Sequence, residues 1–130
     1  MIHFGVEDTA HKGDAFTIEW YYDNKGYSQA HEYYKKLSKE QQEKLTYLLF
    51  MLGDTGQIRN EEKFRNENDQ IYAFKPKPDR FLCFFYHGKK VIVTNAFVKK
   101  QQKLPPVEKA KALKSRVDYI KRVLGGNYYD

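Results

Sequence analysis

The chain has 130 residues, 41% of them hydrophobic and 16% aromatic, which fits one folded domain and excludes disorder by composition despite 31% charged residues. Its single cysteine, Cys83, rules out an internal disulfide; with no CxxC motif and no His/Cys spacing, no metal site is expected and a reducing cytoplasm is the simplest setting. The formal net charge of +6 is concentrated: eight cations and one anion lie between Lys75 and Lys103 while the rest of the chain sums to −1, which points to a polyanionic partner.

Residues 1–13 begin with Ile2-His3-Phe4 and turn polar; they read as an extra strand or as an arm, without the charged-then-apolar layout of a secretory signal. No run of about 18 apolar residues occurs, so no membrane span is expected. Residues 16–22 (FTIEWYY) are β-branched and aromatic between two turn signals and predict a first strand. Ser28 is placed to cap a helix over 29–37, and Ser38 with Gln41 forms a capping-box signature for a second. In that second helix Leu45, Leu48, Leu49 and Leu52 mark one buried face, and Gly53 stands where a C-terminal cap is expected.

From Asp54 to Gln70 the chain is polar and aperiodic, a connection that carries Lys63 and Arg65. Three strands follow, over 70–75, 80–86 and 90–98, the last two joined by a hairpin at His87-Gly88-Lys89. Pro76 and Pro78 keep the segment before the middle strand from pairing. Phe81 to Phe85 is apolar on both faces, as in a central strand covered by helices on one side and by another layer or a partner on the other. Pro105 and Pro106 precede a last helix, whose Ala110, Leu113, Val117, Ile120 and Leu124 make an apolar stripe ending at Gly125-Gly126. Beyond it Tyr128 and Tyr129 are either frayed or a docking tail. The order β, α, α, β, β, β, α predicts an α+β fold on a largely antiparallel sheet.

This order, together with IYAFK at 71–75, DRFLCFFYHGKKVIV at 79–93, NAFVKKQQKLPP at 95–106 and a basic final helix, resembles the RelE/HigB toxins of bacterial toxin–antitoxin modules, and most nearly their phage-derived HigB-like branch. The likeness covers about residues 16–122, and its most specific piece is Phe97-Val98-Lys99-Lys100 with Gln102 and Pro105, 19 to 20 residues after Arg80. Lys75 stands where relatives carry Arg, and residues 1–15 form an N-terminal extension. The resemblance implies a toxin domain over 16–124 followed by a tail at 125–130. It also implies a small RelE-like fold, with an N-terminal strand and helical hairpin packed on the sheet and a C-terminal helix. The function it implies is ribosome-dependent cleavage of mRNA without a cofactor. The implied partners are the ribosome, mRNA and a cognate antitoxin of helix-turn-helix type, with operator DNA reached only through the antitoxin.

Metal-free RNA cleavage needs a group to take the 2′-hydroxyl proton, positive charge on the phosphate and a proton for the leaving 5′-oxygen. Arg80 is the candidate phosphate clamp, since a guanidinium stays charged and its fork matches phosphate oxygens. Lys75 and Lys77 are expected beside it, where crowded cations lower a lysine pKa and open a role as base. Lys99 and Lys100 leave the last strand to opposite sides, so one reaches the site and the other meets ribosomal RNA. His87 is a candidate acid or base by intrinsic pKa and Tyr86 a stacking or proton-donating group, each weighed against an ordinary turn or strand residue. Lys63, Arg65, Lys89, Lys90 and Lys103 are candidates for RNA phosphates, whereas His3, His11 and His31 have no partner at useful spacing. The same residues fit a non-catalytic RNA- or antitoxin-binding module, or a ParE-like gyrase inhibitor.

Overall fold

Ser28 and Ser38 both have extended backbone, and each side chain accepts a hydrogen bond at 3.2 Å from the amide three residues on, His31 N and Gln41 N. In the computed structural model, which describes residues 8–129, these caps start helices α1 (Gln29–Lys35) and α2 (Lys39–Thr55). Leu45, Leu48, Leu49 and Leu52 are buried as the spacing predicts. The helix, however, runs through Gly53 and stops at Gly56, whose φ of 87° supplies the left-handed cap. Gly53 serves a different need. Its carbonyl accepts the amides of Ala15 and Phe16 at 2.8 and 2.9 Å, and a Cβ there would lie 2.5 Å from the His11 ring. Two backbones thus meet where no side chain fits.

Strands β1 (Thr9–Lys12), β2 (Thr17–Trp20), β3 (Phe64–Asn66), β4 (Tyr72–Phe74), β5 (Asp79–Tyr86) and β6 (Lys90–Val98) form one sheet in the order β1-β2-β6-β5-β4-β3. Neighbours are antiparallel except β2 and β6, which run parallel with Thr17 beside Lys90 and Trp20 beside Val93. The N-terminal extension therefore contributes an edge strand, while Ile2, His3 and Phe4 lie outside the described residues. The polar connection 54–70 contains the other edge strand: β3 pairs with β4 through Phe64–Phe74, Arg65–Ala73 and Asn66–Tyr72. A turn with φ of 74°, 57° and 73° at Asn68, Asp69 and Gln70 reverses the chain between them. Two histidines read as unpartnered are engaged: His11 Nε2 is 3.0 Å from Asp54, and His31 stacks on Trp20 with ring centres 4.9 Å apart.

β5 is buried on both faces because side chains alternate along a strand. Phe81 and Cys83 join Trp20, Leu45 and Leu49 under α1 and α2, and burial pushes the Cys83 thiol pKa up. Leu82 and Phe84 pack on the other face with Ala73, Ile92 and Tyr119 beneath helix α3 (Pro106–Leu124). The stripe expected on α3 is turned: Ala112 and Tyr119 are buried, with Leu113, Ile120 and Val123 packed beside them. Val117 and Leu124, by contrast, are 63% and 76% exposed. Tyr119 decides the rotation, its large ring meeting Phe84 and Tyr86 edge-on at 5.5 and 5.1 Å. The tail is docked rather than frayed: Tyr128 is buried, its hydroxyl accepts the Tyr22 amide at 2.9 Å, and the Tyr129 hydroxyl donates to Glu19 at 2.6 Å.

Candidate nucleic-acid interface

Strand parity gathers the cations. The register Tyr72–Cys83, Ala73–Leu82 and Phe74–Phe81, continued one step, sets Lys75 opposite Arg80, and Arg80 lies opposite Phe97 on β6. Residues two apart share a face, so Arg65 and Glu67 at β3, Lys75 after β4, Arg80 on β5 and Lys99 after β6 all look toward the α3 side. The Lys99 amide donates to the Pro78 carbonyl at 2.8 Å, which holds the exit of β6 against the start of β5. Asp79 faces the other way and accepts the Tyr33 hydroxyl at 2.5 Å, anchoring that start beneath α1.

The result is a recess lined by Arg65, Glu67, Lys75, Arg80, Lys99 and Lys103, with Phe97, Gln101, Gln102, Leu104 and Pro105 completing its walls. Its volume is about 50 Å3, far below the ~300–1,000 Å3 of pockets that enclose an organic ligand. It suits one phosphate-sized group of a polymer lying across the surface. Arg80 is only 7% exposed, and its Nη1 donates to the Asp79 carbonyl at 3.0 Å. Burial lowers the Arg80 pKa, while the negative charges of Glu67 and Asp79 oppose that shift. The Lys75 pKa is also lowered, first by burial, then by the like charges of Arg80, Arg65 and Lys99, with Glu67 acting against them. Five cations around one carboxylate give the recess a net positive charge.

Other predicted residues go elsewhere. Lys77 points toward α2, its ammonium 3.6 Å from Glu62 and its carbonyl 3.4 Å from the Lys44 ammonium. Lys63 lines a separate groove beside α2, which Lys75 also borders. Of the two lysines that leave β6, Lys99 lines the recess and Lys100 is exposed outside it. Tyr86, His87, Lys89 and Lys90 sit at the opposite end of β5 and β6. Six residues of strand, roughly 20 Å at ~3.3 Å each, separate Arg80 from Tyr86. Tyr86 packs on Tyr119, His87 occupies the turn with φ of 50°, and Lys90 is held 3.5 Å from Glu19 and over the Tyr129 ring. These four do not join Arg80 in one centre.

Glu67 was hidden in the mixed-charge run NEND; its signal is the two-residue spacing from Arg65, which puts both on one face once β3 is recognised. Among the described residues, no three His, Cys, Asp or Glu side chains gather as a metal-binding group, and no helix is long and apolar enough to cross a membrane.

The fold and recess define a small α+β protein with a cation-lined recess at one end of a six-stranded mixed sheet. Residues 32–117 match the family described as Phage derived protein Gp49-like (DUF891), and the chain belongs to that family, which is of the RelE/HigB toxin-like kind. The match runs from α1 into α3 and contains every residue of the recess. No curated protein matches the chain.

Proposed function

We propose that the protein is the toxin of a type II toxin–antitoxin pair, of the phage-derived HigB-like branch, and that it cuts mRNA on the ribosome in the cytoplasm until a cognate antitoxin neutralises it. The observation that carries this reading is the convergence of Arg65, Lys75, Arg80, Lys99 and Lys103 around Glu67 in one recess. Membership in a toxin-like family supports it.

The chemistry follows from those groups. Arg80 and the neighbouring lysines hold the nonbridging oxygens of the scissile phosphate, where charge builds as the pentavalent state forms. Glu67 accepts the proton of the adjacent 2′-hydroxyl, whose oxygen bonds to phosphorus as the bond to the 5′-oxygen breaks. Lys75 gives its proton to that leaving oxygen, a task its lowered pKa favours. The products are a 2′,3′-cyclic phosphate and a 5′-hydroxyl. Expression alone is then expected to arrest growth. Purified protein mixed with ribosomes programmed by mRNA is expected to yield 5′-hydroxyl fragments, and Glu67→Gln is expected to yield far fewer. Intact mRNA at enzyme concentrations equal to the ribosomes would refute the reading.

A further inference from the structure

Lys75 borders two openings, and the second differs in chemistry from the first. Between α2 and the segment 62–77 runs a groove of about 550 Å3, some tenfold larger than the recess and within the size range of small-ligand pockets. Tyr47, Leu48 and Pro76 give it an apolar lining. Tyr47 projects from α2 with 60% of its surface exposed, and among the described residues its ring has neither an aromatic neighbour nor a hydrogen-bond partner. An exposed, unengaged aromatic at the wall of a groove is the arrangement on which a nucleobase stacks. The groove also carries Glu40, Glu43 and Glu62 among its lysines. Three carboxylates against four lysines leave the groove near neutral, so it lacks the pull on a phosphate chain that the five cations of the recess around Glu67 exert. Carboxylates beside an aromatic face instead offer acceptors for the N–H groups of a base edge.

We propose that this groove receives the nucleobase next to the phosphate held in the recess, with the base stacked on Tyr47 and the backbone turning around Lys75 at the end of β4. The proposal rests on the RNA-binding reading above and adds to it a site that reads bases. It is tested with the full chain by fluorescence anisotropy at low salt, using a short 2′-O-methyl RNA, which lacks the attacking hydroxyl, and an abasic oligomer of the same length. The wild type is expected to bind the base-bearing oligomer at least about fivefold more tightly, as stacking of one base supplies. Tyr47→Ala is expected to bring that ratio near one, and Tyr47→Phe to keep it. A ratio near one in the wild type, or a ratio unchanged in Tyr47→Ala, overturns the base site. Arg80→Ala is expected to weaken both oligomers alike and leave the ratio standing. If Arg80→Ala weakens neither, the phosphate reading itself falls, a result distinct from any change in the ratio.

Discussion

Replacing Arg80 by alanine removes the most deeply set cation lining the recess, one only 7% exposed. A hydrogen bond to a charged group contributes about 1.5–3 kcal/mol, so loss of the guanidinium is expected to slow cleavage by roughly 10- to 150-fold. The fold should tolerate the change. Arg80 donates one bond within the protein, to the Asp79 carbonyl at 3.0 Å, and the start of β5 stays tied by Tyr33 to Asp79 and by Lys99 to Pro78. Arg80→Lys keeps the charge but loses the planar fork and is expected to recover only part of the rate. The assay is primer extension on ribosome-bound mRNA, with circular dichroism as a control for folding. Salt gives a second readout: each phosphate contact to a single strand contributes about 0.7 to the slope of log affinity against log salt, so Arg80→Ala should flatten that slope by about this amount. A folded Arg80→Ala variant cutting within twofold of wild type, with an unchanged slope, would refute the reasoning.

The depressed Lys75 pKa has a defined sign. Between its folded value and the ordinary 10.5 the unfolded chain binds more protons, so Lys75 makes stability rise with pH across that window; denaturant titrations should show the rise disappear in Lys75→Met. If Lys75 is the proton donor, cleavage falls as pH passes its folded pKa, and Arg65→Ala, by removing a like charge, should move that alkaline limb to higher pH in rate profiles. Lys99→Ala should lower cleavage and RNA affinity clearly more than Lys100→Ala, because only Lys99 lines the recess; equal effects would contradict the parity argument. Gly13→Ala would set a Cβ 2.3 Å from the Gly53 backbone, and such overpacking should cost about 1–3 kcal/mol in urea unfolding while leaving the recess untouched.

Local signals were readable along the chain. Ser28 and Ser38 cap helices through their own side chains, and the two-faced apolar run Phe81–Phe84 needs only strand alternation to be seen as central. The split between Lys99 and Lys100 followed from the same alternation, and the closeness of Lys75 to Arg80 from the pairing of their strands. What depends on distant partners was not readable. The parallel pairing of β2 with β6 joins segments more than 70 residues apart, and β3 is three residues long with no period to detect. Because β3 was missed, Glu67 was missed with it. On α3 the count of apolar residues favoured Val117, but the volume of Tyr119 and its ring partners set the buried side. Tyr86 and His87 were grouped with Arg80 for the chemistry of their side chains, but six residues of extended strand set them at the other end of β5.

The docked tail has a consequence for how the protein folds. β3, β4, β5 and β6 are sequential antiparallel neighbours, so the framework of the recess assembles from contacts close in sequence. Closure of β2 is the opposite: it waits for β6, and Tyr128 and Tyr129 reach back to Tyr22 and Glu19 across separations of 106 and 110 residues. Such non-local contacts form slowly. During synthesis the cation-lined end is thus poised to take shape before Tyr128 and Tyr129 arrive to clasp β2, so the recess matures ahead of the part that locks the whole.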